Sequence, residues 1–180
     1  PPAIAPGVPN FALWSPDGSC IAVALLTADG LDLQVVEPSG GLVRTVAAGG
    51  PLFSAWTADS ERLVVHAGGD LLLLDRNGAG GRRVLSDEAA GFRAPAVTPK
   101  GTIGFATPAG SGVRVMSFSI ENVKPVAVAE FPGGVALSLR PGDGGEYSVA
   151  VMHDPDAGLF AELWAVPADA GGRAAADAPT

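Results

Sequence analysis

Cationic side chains are scarce in this sequence: 11 Lys and Arg stand against 19 Asp and Glu in 180 residues, a formal net charge of -8. No basic cluster exceeds the pair Arg82-Arg83. A nucleic-acid footprint needs a dense basic face, so that class of partner is excluded, and the acidic excess serves solubility. Cysteine is almost absent. Cys20 stands alone, which excludes an internal disulfide and leaves the redox compartment unread. Its place in Cys20-Ile21-Ala22-Val23-Ala24 marks a small buried hydrophobe, not a reactive thiol. With only His66 and His153 beside it, a zinc site would have to be built mainly from carboxylates, which is unusual. Long apolar runs are missing too: the longest, such as Ile21 to Leu26, are about six residues, against the roughly 20 that a membrane-spanning helix needs. No Gly-x-Ser-x-Gly elbow and no His-Glu-x-x-His pair occurs, so the hydrolase motifs lack their parts. The Gly-rich pieces at 78–81 and 110–112 precede no helix and follow turn logic, which argues against a phosphate cradle.

What the chain has instead is punctuation. Hydrophobic residues make up 47%, cut into short runs by 25 Gly and 16 Pro, the pattern of an all-β protein with many turns. Trp14-Ser15-Pro16-Asp17-Gly18 is a tight turn between two apolar strands, with Pro presetting φ and Gly supplying a positive one. It returns, progressively degraded, as Trp56-Thr57-Ala58-Asp59-Ser60, Val97-Thr98-Pro99-Lys100-Gly101 and Leu139-Arg140-Pro141-Gly142-Asp143, at steps of 42, 41 and 42 residues. A turn signature recurring at that period marks a repeat architecture. Four antiparallel strands in roughly 40 residues make one propeller blade. The expected organisation is a Pro-rich extended lead-in over 1–10, blades over 11–49, 51–91, 92–133 and 134–167, and a disordered Ala/Asp/Gly-rich tail over 168–180. The strands expected are 11–14, 20–26, 31–37 and 42–47 in the first blade, then 52–56, 62–67, 71–74 and 82–85 in the second. The third has 94–98, 102–106, 113–119 and 125–129, with a five-residue loop Pro108 to Gly112 between the middle pair. The fourth has 135–139, 147–152 and 159–166 and lacks its outer strand, which makes about fifteen strands in all.

The order apolar strand, Trp-Ser-Pro-Asp-Gly, strand, turn, Leu33-Gln34-Val35-Val36-Glu37, Gly40-Gly41, strand resembles the repeat of TolB-type β-propellers. The full motif stands only at residues 14–18, and the likeness extends over residues 11–167. It is specific for blade architecture and not for a role, since one blade type serves many unrelated functions. That family is known for six to eight blades, and four stand here. The chain therefore closes as a four-bladed ring, forms part of a larger propeller, or has its open blade faces covered by another chain; the last two together are preferred.

Candidate chemistry is sparse. His153-Asp154-Pro155-Asp156-Ala157-Gly158 sets two carboxylates two apart before a Gly, so Asp154 and Asp156 are the weak metal candidates. The other acidic ligands of a calcium loop are missing, and a polar turn is the preferred reading. His66, in Leu63-Val64-Val65-His66-Ala67, reads as a hydrogen-bonded sheet residue. Trp14 and Trp56 share a repeat position, which points to packing between blades. Trp164 lies in the unfinished blade's last strand and is either core or the anchor of a partner; that strand is also an unpaired edge, open to strand addition. With Phe92, Asp154 and Asp156 it forms the candidate protein-binding set. Contacts are expected on the rim carrying Ala28 to Gly30, Gly68 to Asp70, Pro108 to Gly112 and Asp154 to Gly158, together with the inter-blade links.

The function expected is a non-catalytic propeller module for protein–protein interaction, a subunit or fragment of a larger exported or membrane-associated assembly, periplasmic or extracellular. An opening on Pro1-Pro2 and not on Met fits a processed, exported chain or a fragment. No cofactor is implied. The partner is another protein, or a second copy meeting the open blade faces. The resemblance leaves two alternatives: the gating propeller of a prolyl-oligopeptidase-like serine peptidase, or a propeller enzyme or sugar or calcium binder.

Overall fold

The computed structural model describes residues 7–39, 43–50, 52–86, 94–153 and 161–169. Within them lie fifteen strands in four antiparallel sheets, each strand paired with its neighbour in chain order. The chain divides into two units, Pro1–Ser86 and Asp87–Thr180, with two sheets in each. In the first unit, β1 (Val8–Trp14), β2 (Ile21–Thr27), β3 (Gly30–Val36) and β4 (Val43–Ala48) form one sheet. The second sheet comprises β5 (Leu52–Trp56), β6 (Arg62–Ala67), β7 (Asp70–Asp75) and β8 (Gly81–Ser86). In the second unit, β9 (Ala96–Val97), β10 (Thr102–Ala109), β11 (Gly112–Ser119) and β12 (Val126–Phe131) form the third sheet. The fourth has β13 (Gly134–Pro141), β14 (Glu146–His153) and β15 (Ala161–Pro167), three strands among the described residues. The fold is all-β, built from up-and-down sheets of the propeller-blade kind. Among the described residues no helix is long and apolar enough to cross a membrane.

The core of the first unit lies between its two sheets. Ala22 and Ala24 of β2 and Leu33 and Val35 of β3 face Leu52, Trp56, Leu63 and Val65 of the second sheet. Alternate residues enter this layer, as the two-residue period of a strand requires, while Gln34, Val36, Val64 and His66 are buried on the opposite faces of β3 and β6; the two alanines let the sheets approach closely. In the second unit the buried layer comes from Val113, Val115 and Phe131 on one sheet and Ala136, Leu139, Tyr147, Val149, Val151 and Val166 on the other. Gly104 makes room in that unit for the Tyr147 ring: a Cβ there would sit 2.6 Å from Tyr147 Cζ. The Tyr147 hydroxyl lies 3.0 Å from Ser117 Oγ, which in turn donates to the Ala168 carbonyl at 2.5 Å. Burial pushes the Tyr147 phenol up to about 12, against the opposing pull of its Ser117 bond.

Several boundaries differ from those expected. The first strand begins at Val8, where the lead-in was drawn to residue 10, and Val8 and Pro9 pair with Leu26 and Leu25. Pro9 offers no N–H, yet β1 is an edge strand, where Pro is tolerated, and the register slips between Pro9 and Phe11. The expected loop from Pro108 to Gly112 shrinks to the two-residue turn Gly110-Ser111, with Pro108 opposite Val113 inside the ladder. Pro108 fits because β9 pairs only with Ile103 and Gly104, so among the described residues the far half of β10 has no ladder partner on that side. The tail expected to be disordered from residue 168 starts with a docked residue. Ala168 is 4% exposed, its N–H donating to the Gly145 carbonyl and its own carbonyl taken by Ser117. Residues 170–180 lie outside the described residues.

Candidate functional site

The recurring turn is built by side chains as much as by backbone. In the first copy the Ser15 hydroxyl donates to Asp17 Oδ1 at 2.6 Å and accepts the Cys20 N–H at 3.0 Å. Asp17 Oδ1 also takes the Ser19 N–H at 3.0 Å. The second copy repeats this with Thr57, Asp59 and the N–H groups of Arg62 and Glu61. The third keeps the Thr98 hydroxyl, accepting from the Thr102 N–H, but has Lys100 where the carboxylate stood. The fourth closes by backbone alone, Gly142 N–H to Glu146 carbonyl at 2.8 Å. The Ser15 hydroxyl, then the Ser19 N–H and hydroxyl, hold the Asp17 carboxyl down to about 2, with Arg76 adding a smaller Coulomb pull. Asp59 is lowered likewise, chiefly by the Thr57 hydroxyl.

In the first unit the first two of these turns meet. The Asp17 N–H donates to Ser60 Oγ at 3.0 Å, with Ser60 holding the positive φ of 63° that Gly18 holds in the first copy. The Trp56 indole N–H donates to the Leu13 carbonyl at 3.0 Å. Arg76, just past β7, spans both turns: its guanidinium lies 3.4 Å from Glu61 and 3.8 Å from Asp17, and donates to Ser19 Oγ at 3.3 Å. Around Arg76 open two adjoining hollows, of about 330 and 400 Å³, that share Cys20, Glu37 and Arg76. Trp14 and Pro38 wall one, Glu61 and Asp75 the other. Arg44, the second cation there, donates to the Asn77 carbonyl at 3.0 Å.

Trp14 corrects an expectation. Sharing a repeat position with Trp56, it was expected to pack between blades; Trp56 does so at 7% exposed, whereas Trp14 is 59% exposed. The indole of Trp56 rests on the preceding blade's Leu13. Trp14 has no counterpart of that contact among the described residues of the first unit and is exposed. The cleft also lies at the other end of the strands from the rim expected to make contacts. It is formed by the turns that join first to second and third to fourth strands.

The other candidates are placed as follows. Trp164, on β15, is half-buried, its ring 5.6 Å from that of Phe131 and its indole N–H donating to Glu162 Oε2 at 3.1 Å. His153 ends β14, 3.5 Å from the same carboxylate oxygen. Phe92, Asp154 and Asp156 lie outside the described residues. His66 is buried in β6, opposite Phe53 and Leu71. Among the described residues no three His, Cys, Asp or Glu side chains converge to hold a metal.

No protein-family model matches the sequence, and no curated protein matches it. Solved structures match in fold. A TolB-type protein from Agrobacterium tumefaciens is 14% identical with a TM-score of 0.65, over 92% of this chain and 70% of that one. An oligogalacturonate lyase in complex with manganese is 11% identical with a TM-score of 0.65, over 88% and 49%. Puromycin hydrolase is 18% identical with a TM-score of 0.63, over 79% and 25%. The chain thus spans about half of the lyase and a quarter of the hydrolase. Likeness at these identities is likeness of fold: the β-propeller, shared by proteins of quite different activity.

Proposed function

We propose that this chain is a non-catalytic propeller module that binds another protein, and that the cleft around Arg76 is where it does so. The observation that carries this reading is Trp14, a large aromatic standing 59% exposed at the mouth of a cleft. Trp and Arg are the residues most enriched where binding energy concentrates in protein interfaces. Here the Arg is fixed in place by two carboxylates and a hydroxyl, so little side-chain freedom is left to lose on association. The lyase and hydrolase likenesses support the fold, and they support an enzymatic or peptidase-gating role only through it.

The test is affinity capture with wild-type chain and Trp14→Ala in parallel, together with assays for peptide and oligogalacturonate turnover. A discrete protein retained by the wild type and lost with Trp14→Ala is the expected result. Turnover of either substrate class by the purified chain, or capture indifferent to Trp14, overturns the reading.

A further inference from the structure

We propose that the partner presents a cationic side chain, arginine or lysine on a peptide segment, to this cleft, laid against the Trp14 indole; the inference rests on the protein-binding reading. It follows from which charges in the cleft are already committed. Three carboxylates, Glu37, Glu61 and Asp75, line the hollows against two cations; Arg76 is held by Asp17, Glu61 and Ser19, and Arg44 donates to the Asn77 carbonyl. The carboxylates of Glu37 and Asp75 line the same hollows, and neither is in an ion pair among the described residues. What the cleft lacks is therefore positive charge. An anionic ligand would compete with the carboxylates of Asp17 and Glu61 for Arg76, whereas a cation finds carboxylates in surplus.

Trp14 supplies the second element. Its indole makes no hydrogen bond or ring contact among the described residues. An exposed indole face is the best aromatic surface for a guanidinium or ammonium group. Pro38 beside it adds an apolar surface for the methylene stem of such a side chain. The surrounding field agrees, since the chain carries a net charge of -8 that steers basic segments toward it.

The indole N–H signals of the three tryptophans in an amide-correlation NMR spectrum provide the readout. The probe is acetyl-Gly-Ala-Arg-Arg-Ala-Gly-amide, with the same peptide carrying Glu-Glu or Leu-Leu at its centre, and spermidine, as controls. The arginine peptide is expected to shift the Trp14 signal saturably and leave those of Trp56 and Trp164 in place. Glu37→Gln should weaken binding about two- to fivefold, as loss of one exposed charge pair does. Trp14→Leu, read at the backbone amides of Ser19 and Glu37, should weaken it by a similar factor, about two- to fivefold for an exposed cation–π contact. Raising salt from about 50 mM to about 500 mM should weaken it further, as screening requires. An unmoved Trp14 signal, or equal shifts from the leucine or glutamate peptide, overturns the proposal. Binding of spermidine as tight as that of the peptide overturns the peptide as its source. Should capture of a protein depend on Trp14 while the arginine peptide leaves the signal unmoved, the cationic inference falls and the protein-binding reading stands.

Discussion

Replacing Gly104 by alanine adds one methyl group to a crowded point of the second unit. The new Cβ would lie 2.6 Å from Tyr147 Cζ and 2.7 Å from Cε1, well inside the 3.5–4 Å or so at which carbon atoms rest. The ring has nowhere to go: it is fully buried, flanked by Val149 and Val151 on its own face, with its hydroxyl tied to Ser117. Overpacking of this kind costs about 1–3 kcal/mol. The gain from a less flexible unfolded chain returns about 0.4–1 kcal/mol, so a net loss of about 1–2 kcal/mol is expected. At about 2–4 °C per kcal/mol for a chain of this size, Tm should fall by several degrees. Thermal and urea unfolding followed by circular dichroism measure this directly. The sharper assay is a double-mutant cycle with Tyr147→Leu. Once the ring is gone the added methyl meets space, so Gly104→Ala should become neutral or stabilising, with a coupling of about 1 kcal/mol or more between the two sites. An equal cost of Gly104→Ala in both backgrounds refutes the reasoning.

Trp56→Phe should destabilise by about 1–3 kcal/mol, losing the bond to the Leu13 carbonyl and buried ring area, while Trp14→Phe stays within about 0.5 kcal/mol; chemical unfolding of the two variants side by side decides it. Tyr147→Phe should cost about 1 kcal/mol through its hydrogen bond to Ser117. Because the Tyr147 phenol is raised from 10.0 to about 12, the stability linked to its neutral form is complete below pH 10 and is lost as pH rises through about 12. Ultraviolet titration should show one tyrosine ionising late, since Tyr147 is the only one in the chain. Asp17 runs the opposite way: lowered from 3.8 to about 2, its carboxylate contributes stability that is complete above pH 4 or so and is lost as pH falls through about 2. Asp17→Asn should flatten acid unfolding in that window, and an unchanged acid limb would count against the Ser15 and Ser19 bonds as its cause.

The strand plan was legible because hairpins depend on local chemistry. Ser15, Asp17 and Gly18 close their turn with their own side chains and backbone, and the same logic at Thr57 and Thr98 survives the loss of individual members. What was not legible came from pairing between strands. The ladders of third and fourth strands slip at Leu33/Gln34, Leu71/Leu72 and Val115/Met116, once in each of three blades, yet no shared residue type marks those positions. A bulge of this sort is set by the twist the sheet must take, and the two strands do not announce it separately. The early start of β1 at Val8 and the docking of Ala168 are of the same kind. Each depends on a partner elsewhere in the chain, Leu26 in one case and Ser117 in the other.

The candidate site escaped the sequence for a related reason. Repetition makes residues equivalent in sequence and not in surroundings. Trp14 and Trp56 differ in no local feature that would sort one into the core and the other to a surface; what separates them is the contact that Trp56 makes with Leu13 of the neighbouring blade. The same asymmetry assembles the cleft. Arg76 can reach Asp17 and Glu61 together only because two copies of the turn stand side by side, and the later copies have lost the carboxylate that such a clasp would need, to Lys100 in one case and to Gly142 in the other. Degradation of the motif along the chain therefore limits where this surface can form. The proposed binding face belongs to the junction of the first two blades, where two copies of the turn that keep their carboxylate stand side by side.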